Sequence, residues 1–169
     1  AAAAASAAGV PVLVRVDPLV PGLTTAPGRL RELVQAAARA GAAAFLCVDL
    51  PREEDRDFRA ATRAAGLDLI PLLAPTTPAA RMRAIARRAS GFLYCVSVLG
   101  VTGVRSELPP ELPDLVARIR GVTGLPVAVG FGVQRPEQAA WIAGFADAVI
   151  VGSAVVARLE QALGSPDVV

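Results

Sequence analysis

The stretch LPVAVGFGVQRPEQAAWIAGFADAVIVGSA, residues 125–154, decides the fold. LPVAVGF at 125–131 is a short apolar run that reads as a strand, and PEQAAWIAGFA at 136–146 reads as a helix. DAVIVG at 147–152 reads as a second strand, with Ser153 as the cap of a last helix from Ala154 to about Leu163. Both strands end in glycine, as VGFG at 129–132 and VIVGSA at 149–154, and helix follows each. Glycine at a strand tip lets backbone N–H groups approach a ligand with no Cβ in the way. A helix N-terminus adds partial positive charge. Two such tips on consecutive βα units make a phosphate site, where closed βα barrels commonly place theirs.

The same rhythm extends back along the chain. Strands are read at 9–16 (GVPVLVRV), 43–50 (AAFLCVDL), 67–73 (LDLIPLL) and 91–98 (GFLYCVSV). The helix at 27–41 has Pro27 near its first turn, Gly41 past its end, and the stripe Leu30, Leu33, Val34, Ala37. The helix at 52–66 stops at Gly66. Thr77 is expected to cap a helix that begins at Pro78, with stripe Met82, Ile85, Ala86, Ala89. A loop, GVTGVRSELPP at 100–110, precedes a helix within 109–124 whose stripe is Leu112, Leu115, Val116, Ile119.

The strands are continuous apolar runs rather than alternating ones, so helices cover both faces of a parallel sheet. The fold class is α/β, of the (β/α)8 barrel family. A closed barrel uses eight strands and typically about 250 residues, so a chain of 169 residues is expected to form an incomplete barrel of about six βα units. Residues 1–8 read as an Ala-rich segment and 9–169 as a single partial barrel domain. Strands lacking from the barrel would leave unpaired sheet edges and an exposed apolar seam.

Composition narrows the chemistry. Hydrophobic residues make up 54% and aromatics only 4%, so Ala, Val, Leu and Ile must build the core. The net charge is +2 and every one of the 17 basic residues is Arg, a pattern that fits codon bias. The densest basic run, RMRAIARR at 81–88, has no interleaved aromatics and reads as a solvated helix face, not a nucleic-acid site. There is no histidine, hence no imidazole base or ligand, and no metal site is expected. Cys47 and Cys95 sit inside apolar runs and read as buried, reduced side chains in a cytoplasmic protein. No apolar run approaches the ~20 residues that span a membrane.

Three segments now carry a resemblance: GFLYCVSVLGVTGVRSE at 91–107, LPVAVGFGVQRPEQA at 125–139 and ADAVIVGSAVV at 146–156. In this order and spacing they resemble the tryptophan synthase alpha subunit, with support from VDLPREE at 48–54 and LDLIPLLAPTTP at 67–78. The resemblance implies a lyase that cleaves indole-3-glycerol phosphate to indole and glyceraldehyde 3-phosphate, a retro-aldol step in tryptophan biosynthesis. It implies substrate-phosphate binding by Gly103, Gly132, Gly152 and Ser153, with Gly130 and Phe131 in the same strand-end turn. Tyr94 would lie near the indole, and Thr102 in a loop that closes over substrate. No cofactor is implied for this chain. Pyridoxal phosphate belongs to the beta subunit, the expected partner in an alpha2beta2 complex.

The departures are as informative. The family's general base and acid are a Glu at the end of its second strand and an Asp in the following loop. No residue here matches either, so both are expected upstream of Ala1, in two further βα units. VRVDP at 14–18 stands where the family has an aromatic and Asn-Pro, about two residues longer. Arg15 reads either as an anion contact or as a side chain reaching the sheet rim. Asp17 and Asp49 read either as substitute carboxylates or, for Asp49, as a helix cap. Tyr94 reads equally as core and as pocket. The rival function is a non-catalytic phosphate-binding or interaction module derived from this family.

Overall fold

Helix faces follow the sequence closely. The computed structural model describes residues 12–16, 28–47, 52–97 and 108–163. In these it contains β1 (Val12–Val16), α1 (Arg29–Arg39), β2 (Ala42–Cys47), α2 (Arg52–Ala64), β3 (Asp68–Ile70), β4 (Leu72–Leu73), α3 (Ala79–Ala86) and β5 (Leu93–Val96). They continue with α4 (Leu112–Arg120), β6 (Val127–Gly130), α5 (Pro136–Ala143), β7 (Ala148–Ile150) and α6 (Ser153–Leu163). Contacts group Ala1–Leu72 with Arg88–Gly91 in one compact unit, and Leu73–Arg87 with Phe92–Val169 in another.

The first unit holds a parallel sheet in the order β1-β2-β3, with Phe45 opposite Val14 on one side and Leu69 on the other. Leu30, Val34 and Ala37 of α1 pack with Ala42, Phe45, Phe58, Leu67 and Leu69. The Phe45 and Phe58 rings meet edge to face, with centroids 5.4 Å apart. Leu33, expected in this stripe, is instead 37% exposed. It lies about 60° around the helix from Leu30, at the margin of the buried face. Gly41 and Gly66 have positive φ and stop α1 and α2 as expected.

The run 67–73 is two strands, not one. Pro71 has no N–H and breaks the ladder, so β3 completes the first sheet and β4 opens the second. Thr77 does not cap α3. Its hydroxyl accepts the Ala74 N–H at 3.0 Å, and Pro78 stands at the cap position with no side-chain bond. Of the expected stripe, Met82 and Ala86 are buried while Ile85 and Ala89 are half-buried.

The second sheet has the order β4-β5-β6-β7. Leu93, Cys95, Val127 and Val129 are fully buried, as strands covered on both faces should be. All four apolar positions of α4, Leu112, Leu115, Val116 and Ile119, are buried as its spacing requires. α6 differs: Val155, Val156 and Leu159 are exposed. Among the described residues no helix is long and apolar enough to cross a membrane.

Asp147 ties the amino-terminal ends of β6 and β7. Its carboxylate accepts the Val127 N–H at 2.8 Å and the Arg120 guanidinium at 2.8 Å. Its own N–H donates to the Val127 carbonyl at 2.9 Å. The Val127 N–H, then Arg120, hold the carboxyl below the usual carboxylate range. Both side chains of the ion pair are more than two-fifths exposed, so screening leaves the amide bond as the main contribution. A lowered carboxyl pKa stabilises the fold above its unfolded value of about 4. That stability is lost as pH falls through the folded value. Asp147→Ala should therefore cost about 1–2 kcal/mol at neutral pH, read by urea denaturation, and should flatten the acid limb of the stability curve. An unchanged midpoint and acid limb would contradict this role.

Candidate active site

Three strand exits line up at one edge of the second sheet. Val96 pairs with Gly130, and Gly130 pairs with Ile150. Ser97, Phe131 and Val151 therefore leave the sheet side by side, at the carboxyl ends where parallel sheets bind ligands.

Tyr94 explains Gly130. A Cβ at residue 130 would stand 2.7 Å from Tyr94 Cζ and 2.9 Å from Ile150 Cβ, and nearer still to the Tyr94 hydroxyl. The Tyr94 ring, only 5% exposed, thus lies across β6 in the space that this glycine leaves. It also meets Phe131 edge to face, with centroids 5.8 Å apart. Of its two readings, the core one is what the packing shows: Tyr94 is buried against Gly130 and Phe131.

Phe131 has φ 73 and Gly132 φ 77. Among the described residues Phe131 is the one non-glycine with positive φ. This conformation costs an L-residue about 1–2 kcal/mol, and strain of this kind collects at functional turns. Ser97 holds it: its N–H donates to the Gly130 carbonyl at 2.9 Å, and its hydroxyl donates to the Phe131 carbonyl. Sequence reasoning gave Ser97 no role. The available signal was a hydroxyl at the end of an otherwise apolar strand.

Two amides a little further on are already spent. The Gln138 side chain accepts the N–H groups of Gln134, at 2.8 Å, and Arg135, at 3.0 Å, and so caps α5. At the exit of β7, the Gly152 carbonyl accepts the N–H groups of Val155 and Val156 at 3.0 and 3.1 Å. Ser153 is therefore the first helical residue rather than the cap expected from sequence. Gly152 and Ser153 are both exposed. Among the described residues nothing accepts a hydrogen bond from the N–H groups of Gly132, Gly152 or Ser153.

Thr102, Gly103, Asp17 and Asp49 lie outside the described residues. Arg15 stands in β1 opposite Leu46. Cys95 is fully buried, and burial pushes its thiol up to about 12, which makes it an inert packing group. Among the described residues no three His, Cys, Asp or Glu side chains cluster as a metal site.

Parallel βα units with aligned glycine tips define a barrel-class α/β protein. A family profile described as tryptophan synthase alpha chain matches residues 26–168. The alpha chain of Carboxydothermus hydrogenoformans is 50% identical over 130 residues, covering 77% of this chain and 49% of that protein. The alpha chain of Zymomonas mobilis is 50% identical over 127 residues, covering 75% and 46%. Tryptophan synthase of Mycobacterium tuberculosis superposes with a TM-score of 0.78 at 36% identity, covering 95% of this chain and 60% of that one. A mutant tryptophan synthase alpha-subunit of Pyrococcus furiosus gives 0.75 at 32%, covering 90% and 60%. This chain belongs to the tryptophan synthase alpha chain family, and its fold is part of that family's (β/α)8 barrel. It spans about half the length of the curated relatives it matches. Alpha chains of this family use no cofactor of their own, and pyridoxal phosphate belongs to the beta subunit.

Gly130→Ala should destabilise the chain by about 1–3 kcal/mol, the usual range for overpacking, because Tyr94 cannot withdraw from a buried position. Adding Tyr94→Ala should make the double variant less unstable than the sum of the two single changes. Simple additivity in thermal denaturation would show that the two residues do not compete for this space.

Proposed function

We propose that this chain supplies the phosphate-binding half of an indole-3-glycerol phosphate lyase of the tryptophan synthase alpha type. The observation that carries the reading is the shared register of β5, β6 and β7. It brings the left-handed turn at Phe131–Gly132 and the start of α6 out of the sheet at the same edge.

In this proposal the amides of Gly132, Gly152 and Ser153, with the Ser153 hydroxyl, receive the substrate phosphate. The α6 N-terminus adds its partial charge. Gly130 and Phe131 shape the turn, Gly103 adds a further amide, and Thr102 belongs to a closing segment. Tyr94, packed on Phe131, flanks the indole. Cleavage needs one group to take the proton from the glycerol-chain hydroxyl and another to protonate the indole carbon as the carbon–carbon bond breaks. None of these site residues is a carboxylate. That chemistry falls to the Glu and Asp that the family uses and that have no match here. We further propose a single partial barrel domain over 9–169, a cytoplasmic setting and a beta-subunit partner in an alpha2beta2 assembly.

The alternative reading is a module derived from this family that binds phosphate esters without chemistry. One pair of measurements on the 169-residue chain bears on both. Calorimetry should detect glycerol 3-phosphate binding that Gly132→Val or Gly152→Val weakens by more than about tenfold, the loss of at least one charge-assisted bond. Incubation with indole-3-glycerol phosphate should release no indole. Absence of binding, or binding indifferent to both substitutions, would overturn the phosphate site. Turnover comparable with an intact alpha chain would overturn the need for the family's two carboxylates.

A further inference from the structure

Ser97 is fully buried at the exit of β5 and grips β6 twice. Its N–H bond to the Gly130 carbonyl, at 2.9 Å, continues the ladder between the strands. In a regular parallel ladder the next bond would run from the Gly132 N–H to the Ser97 carbonyl. That bond is not formed. Phe131 turns left-handed instead, and its carbonyl accepts the Ser97 hydroxyl.

This second bond sets a direction. A trans peptide is planar, so the Phe131 carbonyl and the Gly132 N–H point opposite ways. Fixing the carbonyl on the β5 side turns the Gly132 N–H away from β5. The strand on the other side of β6 is β7, whose exit carries Gly152 and Ser153. The geometry points to Ser97 as a positioning residue: its hydroxyl holds Phe131 in the left-handed conformation and aims the Gly132 amide at the space before the α6 N-terminus. The purpose of that aim, receiving a phosphate ester, rests on the reading proposed above.

Serine suits the position because its hydroxyl can donate to the Phe131 carbonyl. Without the hydroxyl, a carbonyl loses its partner and Phe131 loses the bond that offsets its strain. The turn then relaxes toward the extended form, and the Gly132 N–H swings back toward β5.

The test uses the 15N-labelled 169-residue chain and two readouts. Residual dipolar couplings report the Gly132 N–H direction without ligand, and a glycerol 3-phosphate titration reports affinity. In Ser97→Ala the vector should reorient and affinity should fall about tenfold, the worth of one buried hydrogen bond. Ser97→Thr, which keeps the hydroxyl, should retain both. Phe131→Gly on the Ser97→Ala background should regain part of the affinity, since glycine adopts positive φ without strain. Should Ser97→Ala fail to fold, the near-isosteric Ser97→Cys, a weak donor, replaces it with the same expectation. An unmoved vector with unchanged affinity overturns the role of Ser97 alone. A wild-type chain that ignores glycerol 3-phosphate overturns the phosphate reading, and the purpose of the aim with it.

Discussion

The second sheet depends on how closely Tyr94 crosses Gly130. That contact admits no Cβ, so it requires glycine at the last residue of β6. The strand row Val96–Gly130–Ile150 stays in parallel register beneath it. Ser97 then takes the carbonyls of both Gly130 and Phe131, and the chain leaves β6 through a left-handed turn. Packing, backbone strain and hydrogen bonding thus converge on one strand tip. Gly132, itself exposed, follows directly on this turn.

This arrangement separates two roles that glycine-rich motifs blur. In VGFG the first glycine serves the protein interior, because a ring occupies the space above it. The second follows a strained turn and keeps its amide free of described acceptors. The neighbouring amides of Gln134 and Arg135 are consumed by Gln138. At this edge the amides of Gly132, from β6, and of Gly152 with Ser153, from the start of α6, have no acceptor among the described residues.

Much of this was legible in the residues. The helix stripes of α1 and α4, the glycine stops and the buried parallel strands follow from periodicity and turn chemistry, and the three motif segments led to the family. What sequence could not supply was tertiary. Pro71 splits an apolar run between two sheets, which periodicity alone does not foresee. Thr77 and Ser153 each sit beside a helix start, yet Thr77 bonds backward to Ala74 and Ser153 enters the helix, because the backbone had already set the first carbonyl. The packing reason for glycine at 130 is tertiary as well, since the Tyr94 ring that crosses it comes from the neighbouring strand. The role of Ser97 depends on a partner 34 residues away, which local pattern does not reveal.

The central claim is that amides from two neighbouring strand exits converge on one anion. A crystal structure of the chain grown with glycerol 3-phosphate tests it most directly. The account predicts phosphate oxygens within hydrogen-bond distance of the Gly132, Gly152 and Ser153 amides, with Ser97 still on the Phe131 carbonyl. Phosphate bound elsewhere, or Gly132 and Ser153 amides facing away from each other, would contradict it.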